Sequence, residues 1–135
     1  MVKILLDTMA VLELLSSPQY QKLAAALDEG KIHGVISTIS LTEMYKIIGT
    51  EDERRAREAV TRIVASKLEL REVDAVVARR AGELKLHYRM PTADALIAAT
   101  GMTAGAKHVL TEDEHFQVIK SLIKPIKLKQ AERMM

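Results

Sequence analysis

The chain has no cysteine, no tryptophan and no asparagine. Without cysteine there is no disulfide scaffold, no thiolate-bound zinc, no iron–sulfur cluster and no thiol nucleophile, which leaves oxygen ligands as the main route to a metal. Aromatic residues are limited to Tyr20, Tyr45, Tyr88 and Phe116, and the three tyrosines fall on apolar helical faces. That supply argues against reading bases on an aromatic platform. Neither GxxxxGK[ST] nor GxGxxG occurs, so a glycine-rich phosphate cradle is disfavoured, and no GxSxG serine elbow is found. Charge of one sign is also missing: 20 Lys and Arg stand against 18 Asp and Glu, which argues against a charge-driven coat for a polyanion. Long hydrophobic runs are absent. Asp7 interrupts the apolar amino end before it could form a signal-peptide core, and the longest uncharged stretch, Ala95 to Ala106, falls well short of the roughly 20 residues of a membrane span. The chain is therefore expected to be soluble and cytoplasmic, with no membrane partner. The lack of Asn, with only four Gln, suits a heat-adapted source, although seven Met weigh against it.

What is present reads as one domain over residues 1–135. A hydrophobic fraction of 48% is enough for a core, and 28% charged residues is ordinary for a globular protein. Short apolar runs at Val2–Leu6, Gly34–Ile36, Leu68–Leu70, Lys107–Leu110 and Ile126–Leu128 read as strands. Between them apolar residues recur at helical spacing: Tyr20, Leu23, Ala24, Leu27; Leu41, Met44, Tyr45, Ile48; Ala56, Ala59, Val60, Ile63; Val77, Ala81, Leu84, Tyr88. Ser17 before Pro18 and Asp74 read as helix N-caps, Ser40/Glu43 and Thr50/Glu53 match capping boxes, and Met90-Pro91-Thr92 separates two helices. Strands alternating with helices imply an α/β fold with a parallel sheet covered on both faces.

In such a sheet ligands bind beyond the carboxyl ends of the strands. Asp7 ends the first strand, Glu43 lies shortly after the second, and Thr111, Glu112, Asp113 and Glu114 follow the strand at His108–Leu110. Asp94 opens a helix that is apolar almost all round and offers no Lys or Arg on its face. A carboxylate buried there needs a cation, and Mg²⁺ or Mn²⁺ with oxygen ligands is a natural one. Repulsion among clustered carboxylates should raise at least one pKa, so Asp94→Asn is expected to stabilise the metal-free protein.

Each acid also has a plain structural reading. Asp94 could favour a helix N-terminus through the dipole, Glu43 could complete the capping box with Ser40, Asp7 could be an N-cap, and Glu112–Glu114 a solvated helix start. Four independent readings are needed where one carboxylate cluster suffices. His33, His87, His108 and His115 show no metal spacing and read as surface residues, with His115 alone near the cluster. Arg54, Arg55, Arg57 and Arg62 read as an ion-paired, solvated helix through Glu51–Arg55, Glu53–Arg57 and Glu58–Arg62. A haloacid-dehalogenase phosphatase would need a second Asp where Met9 stands. Toward the carboxyl end Lys120, Lys124, Lys127, Lys129 and Arg133 form a basic segment.

Three blocks together resemble the PIN-domain nucleases, in particular the small VapC-type toxins of toxin–antitoxin modules: Leu5-Leu6-Asp7-Thr8-Met9-Ala10-Val11, Ile39-Ser40-Leu41-Thr42-Glu43, and Asp94 to Thr100 running on to Leu110-Thr111-Glu112-Asp113-Glu114-His115-Phe116. The resemblance implies an α/β/α sandwich around a mostly parallel sheet of four or five strands. It implies a ribonuclease dependent on Mg²⁺ (or Mn²⁺), leaving a 5′-phosphate and a 3′-hydroxyl. Asp7, Glu43, Asp94 and Asp113 take the family's acidic catalytic roles, with Asp7, Asp94 and Asp113 as metal ligands and Thr8 and Thr111 as supporting hydroxyls. Glu112 and Glu114 are further candidates beside Asp113. The implied partners are an RNA substrate, a cognate antitoxin whose tail occupies the active-site groove, and a second copy in a homodimer. The alternatives are an RNA-processing or decay nuclease of the same fold, disfavoured by the lack of an appended domain, and a non-catalytic module whose acidic pocket receives a cationic partner.

Overall fold

The structure is a computed structural model and describes residues 2–135. In chain order it comprises β1 (Lys3–Leu6), α1 (Thr8–Ser16), a 3-10 turn (Pro18–Tyr20), α2 (Gln21–Asp28), β2 (His33–Ser37), α3 (Thr38–Gly49) and α4 (Glu53–Ala65). There follow β3 (Glu69–Arg71), α5 (Ala75–Tyr88), α6 (Thr92–Thr103), β4 (His108–Leu110), a 3-10 segment (Glu114–Ile119), β5 (Lys124–Ile126) and α7 (Leu128–Met134). The strands form one sheet in the order β3-β2-β1-β4-β5, and every neighbouring pair is parallel.

Both faces of the sheet are covered, which is why its strands read as unbroken apolar runs rather than alternating ones. Leu5, Val35 and Val109 point to one side, into a core shared with α5, α6 and the 3-10 segment. Ile4, Leu6, Ile36 and Leu110 point to the other, against α1, α2, α4, α7 and most of α3. The result is an α/β/α sandwich.

Four strands fall within one residue of their expected bounds at each end; β5 lies two residues earlier than the expected Ile126–Leu128. Pro125 lacks an N–H, but β5 is an edge strand that pairs only with β4, so the proline is tolerated. Leu128 instead opens α7, its N–H held by Glu112 Oε2 at 3.0 Å. The Thr50/Glu53 capping box does not form. Asp52 caps α4 through the N–H groups of Arg54 and Arg55, while the Thr50 hydroxyl donates back to Lys46 O at 2.7 Å. Ser17 and Asp74 cap as expected. On α4, Arg57 meets Glu53 at 3.7 Å and Arg54 meets Glu58 at 3.3 Å, all with well-exposed side chains, where ion pairs contribute little to stability.

One close approach sets the position of α6. A Cβ built at Gly101 would lie 2.7 Å from Leu5 Cδ2 and 2.9 Å from Leu5 Cβ. Leu5 is fully buried in the central strand and its Cβ cannot swing aside. Gly101→Ala should therefore destabilise the protein by about 1–2 kcal/mol, because overpacking outweighs the gain of about 1 kcal/mol in helix propensity. Urea unfolding measures this; a more stable variant would show that α6 can retreat at no cost.

Candidate active site

The sheet branches at β1. The chain leaves β1 toward β2 on one side and reaches β4 on the other, which opens a crevice beyond the carboxyl ends of these two neighbours. Asp7 sits there, immediately after β1, with its N–H on Leu110 O at 3.1 Å. Its side chain is buried and both oxygens are engaged. Oδ1 accepts the Thr8 N–H at 2.8 Å and Oδ2 accepts the Thr111 hydroxyl at 2.7 Å. Asp7 is thus the N-cap of α1 and a member of the acidic group at once.

Thr111 extends this network. Its Oγ1 accepts the Asp113 N–H at 2.9 Å, and Asp113 Oδ1 accepts the His115 N–H at 2.9 Å, capping the 3-10 segment. Fully buried Phe116 anchors that segment in the core beside α6. Glu112 is spent on α7, and Glu114 is exposed with Lys127 Nζ 3.9 Å away, so of the three consecutive acids only Asp113 joins the Thr111–His115 network.

Glu43 comes from α3. Ser37, not Ser40, caps that helix, accepting the Ile39 N–H at 3.1 Å. Ser40 and Glu43 therefore lie one turn apart inside the helix and share a face. The Thr8 hydroxyl donates to Glu43 Oε1 at 2.5 Å and accepts from the Ser40 hydroxyl at 2.9 Å, since one hydroxyl carries one proton. The expected Ser40/Glu43 capping box is replaced by a relay that orients Glu43, and Ser40 was not legible as a supporting residue because its partner lies 32 residues away.

Asp94 lies in the first turn of α6, and its side chain is 16% exposed. Its expected lack of a cationic partner holds on its own helix but not across the fold. His115 Nδ1 lies 2.8 Å from Asp94 Oδ2 and 3.2 Å from Asp113 Oδ1. As expected, His115 is the histidine near the cluster and is exposed; what the spacing of the histidines did not predict is that Asp94, Asp113 and His115 present ligand atoms all within 4.8 Å of one another.

Burial pushes the Asp7 carboxyl above its ordinary range against the hydrogen bonds from Thr111 and Thr8, and the charges of Asp94 and Asp113 push the same way. Burial likewise raises Asp94; the His115 contact opposes it, and Asp113 and Glu43 add to it. The bond to Asp94 and the charge of Asp113 raise the His115 pKa. Among the described residues, no Lys or Arg forms an ion pair with Asp7, Glu43, Asp94 or Asp113. A cluster of carboxylate donors whose one basic neighbour among the described residues is the His115 imidazole, itself able to act as a ligand, fits a divalent cation such as Mg²⁺ or Mn²⁺.

The three shifts act in one direction on the metal-free protein. A raised Asp7 or Asp94 destabilises the fold above its folded-state pKa, and that cost is relieved as pH falls toward the ordinary value. A raised His115 stabilises below the usual 6.5 and loses that contribution as pH climbs through its folded-state value. Glu69 is different: burial raises it, but His33 and Lys3 outweigh burial and lower it, so its contribution is lost only below its ordinary 4.5. In EDTA the melting temperature should therefore be higher near pH 5.5 than at pH 8. Calorimetry across that range checks this, and a higher melting temperature at pH 8 would refute it.

A family model described as PIN domain matches residues 4–122. The chain belongs to the PIN domain family, the nuclease family that its motifs resemble. Among solved structures, the chain is similar to VapBC2 from Rickettsia felis bound to a promoter DNA fragment, with a TM-score of 0.74 and 21% identity over 93% of this chain and 98% of that one. VapBC-1 from nontypeable Haemophilus influenzae gives a TM-score of 0.71 at 14% identity, covering 96% and 99%. VapC20 of Mycobacterium tuberculosis, a sarcin–ricin loop cleaving toxin, gives 0.67 at 17% identity, covering 90% and 97%. Identities this low establish a shared fold. No curated protein sequence matches the chain significantly. No helix among the described residues is long and apolar enough to cross a membrane.

Proposed function

We propose that the chain, a single domain over residues 1–135, is a ribonuclease dependent on Mg²⁺ or Mn²⁺ that acts in the cytoplasm as the toxin of a toxin–antitoxin pair. One observation supports this reading: the charges of Asp94 and Asp113 act on Asp7, those of Asp113 and Glu43 act on Asp94, and among the described residues no Lys or Arg forms an ion pair with any of the four. Asp7, Asp94 and Asp113 would hold the cation. When bound, it supplies the charge that makes water acidic enough to attack near neutral pH and offsets charge on the phosphate. Glu43, aimed by Thr8, would bind the cation as well or take the proton of the attacking water. Thr111 holds Asp7 in place, and basic side chains around the groove would position the RNA backbone. Toxin–antitoxin complexes among the fold relatives support a cognate antitoxin as partner. A homodimer is part of the same proposal.

The test is incubation of the purified chain with end-labelled single-stranded RNA, with Mn²⁺, Mg²⁺ or EDTA, beside Asp7→Asn. Cleavage confined to the metal lanes and to the unsubstituted chain is expected. Cleavage that persists in EDTA, or is equal in the variant, would refute the proposal.

A further inference from the structure

The acidic residues account for the cation site in general, but one side chain at it is nitrogen. His115 Nδ1 faces the space between Asp94 and Asp113, 2.8 Å and 3.2 Å from their nearest oxygens. Without a metal these are hydrogen-bonded contacts, and their lengths also suit adjacent donors around a small dication, where the octahedral edge is about 3.0 Å for bonds of about 2.1 Å; binding there would release the Nδ1 proton to water. The imidazole is also held. Its backbone N–H is on Asp113 Oδ1, and fully buried Phe116 follows it directly. The ring itself stays 58% exposed, so it can turn slightly without disturbing the core.

We infer that His115 Nδ1 is a direct donor to the dication held by Asp94 and Asp113, and that it biases the site toward first-row transition ions over Mg²⁺. This rests on the metal-dependent reading above and deepens it. Mg²⁺ demands hard oxygen ligands and sheds water reluctantly, whereas imidazole binds transition dications more strongly. An all-carboxylate site gains little from choosing between the two ions; one nitrogen donor creates the difference. The remaining histidines, His33, His87 and His108, provide an internal control because they are elsewhere in the sequence and outside the ligand group.

The experiment measures Mn²⁺ and Mg²⁺ binding separately by titration calorimetry, for the full chain and for His115→Ala, without RNA. Pulsed electron paramagnetic resonance of the Mn²⁺-loaded forms then reports nitrogen coupling. The ratio of Mn²⁺ to Mg²⁺ affinity should fall about tenfold in the variant, the scale on which changes at a metal site act. Nitrogen coupling should be present in the unsubstituted chain and lost in His115→Ala. No coupling in the unsubstituted chain, or an affinity ratio unmoved by the substitution, overturns the inference while leaving a metal-dependent nuclease intact. Failure of the unsubstituted chain to bind either ion overturns both.

Discussion

Asp7→Asn should lower metal-dependent RNA cleavage by at least about a thousandfold, roughly 4 kcal/mol of transition-state stabilisation, and yet raise the melting temperature of the metal-free protein. Asp7 is the most deeply placed acid of the site, 5% exposed, and its carboxyl is pushed up by burial. The amide keeps the shape and can still accept the Thr8 N–H, so the cap of α1 survives. What it loses is the charge and the acceptor for the Thr111 hydroxyl. Loss of the charge removes an anionic donor from the cation site; it also ends a buried repulsion with Asp94 and Asp113. The net effect is a more stable metal-free fold, read as a higher melting temperature. Single-turnover cleavage with Mn²⁺ and calorimetry in EDTA at pH 7.5 give the two readouts. Undiminished cleavage would remove Asp7 from the site, and a lower apo melting temperature would show that its hydrogen bonds outweigh the repulsion. Asp94→Asn, expected from the sequence alone to be stabilising, should gain less than Asp7→Asn, since it also gives up the His115 contact.

Phe116→Ala should cost about 3–5 kcal/mol, a large part of the 5–15 kcal/mol that holds an ordinary domain together. Phe116 is the largest fully buried side chain and packs into the core that α6 shares with β1 and β4. It directly follows Asp113, Glu114 and His115, so it joins the acidic loop to the helix that carries Asp94. Its removal leaves a cavity beneath the loop, and the geometry of Asp113 should loosen even in molecules that remain folded. Phe116→Leu, which fills more of the space, should cost about 1–2 kcal/mol and retain more activity. Urea unfolding of the three forms measures the ladder. A loss below about 1 kcal/mol for the alanine variant would show that the loop is held from elsewhere.

Much of the architecture follows from local pattern. Apolar strand runs such as Val35-Ile36 and Val109-Leu110 imply a sheet buried on both faces, and helical spacing in residues such as Val77, Ala81 and Leu84 places the flanking layers. The positions of Asp7 and Thr111 after apolar runs suffice to put them at strand ends. The helix starts were less legible. Ser40/Glu43 and Thr50/Glu53 satisfy a spacing rule, yet Ser37 and Asp52 do the capping, because the choice among neighbouring candidates depends on where the preceding strand or helix releases the chain.

The site divides along the same line. The amino-acid sequence by itself determined an acidic, cysteine-free crevice, since residue type and distance from the end of a strand are local properties. Only the tertiary structure decided which groups meet: Thr111 with Asp7 across 104 residues, Ser40 with Thr8 across 32, and His115 with Asp94 across 21. It also gave three neighbours of like charge different partners, Glu112 the Leu128 N–H, Asp113 the His115 N–H and Glu114 the vicinity of Lys127, which pattern cannot assign. The physical reason is that hydrogen bonds and charge compensation act over a few ångströms of space. Which side chains come within that range is set by strand order and by packing such as that of Gly101 on Leu5, neither of which is written in any one stretch of the chain.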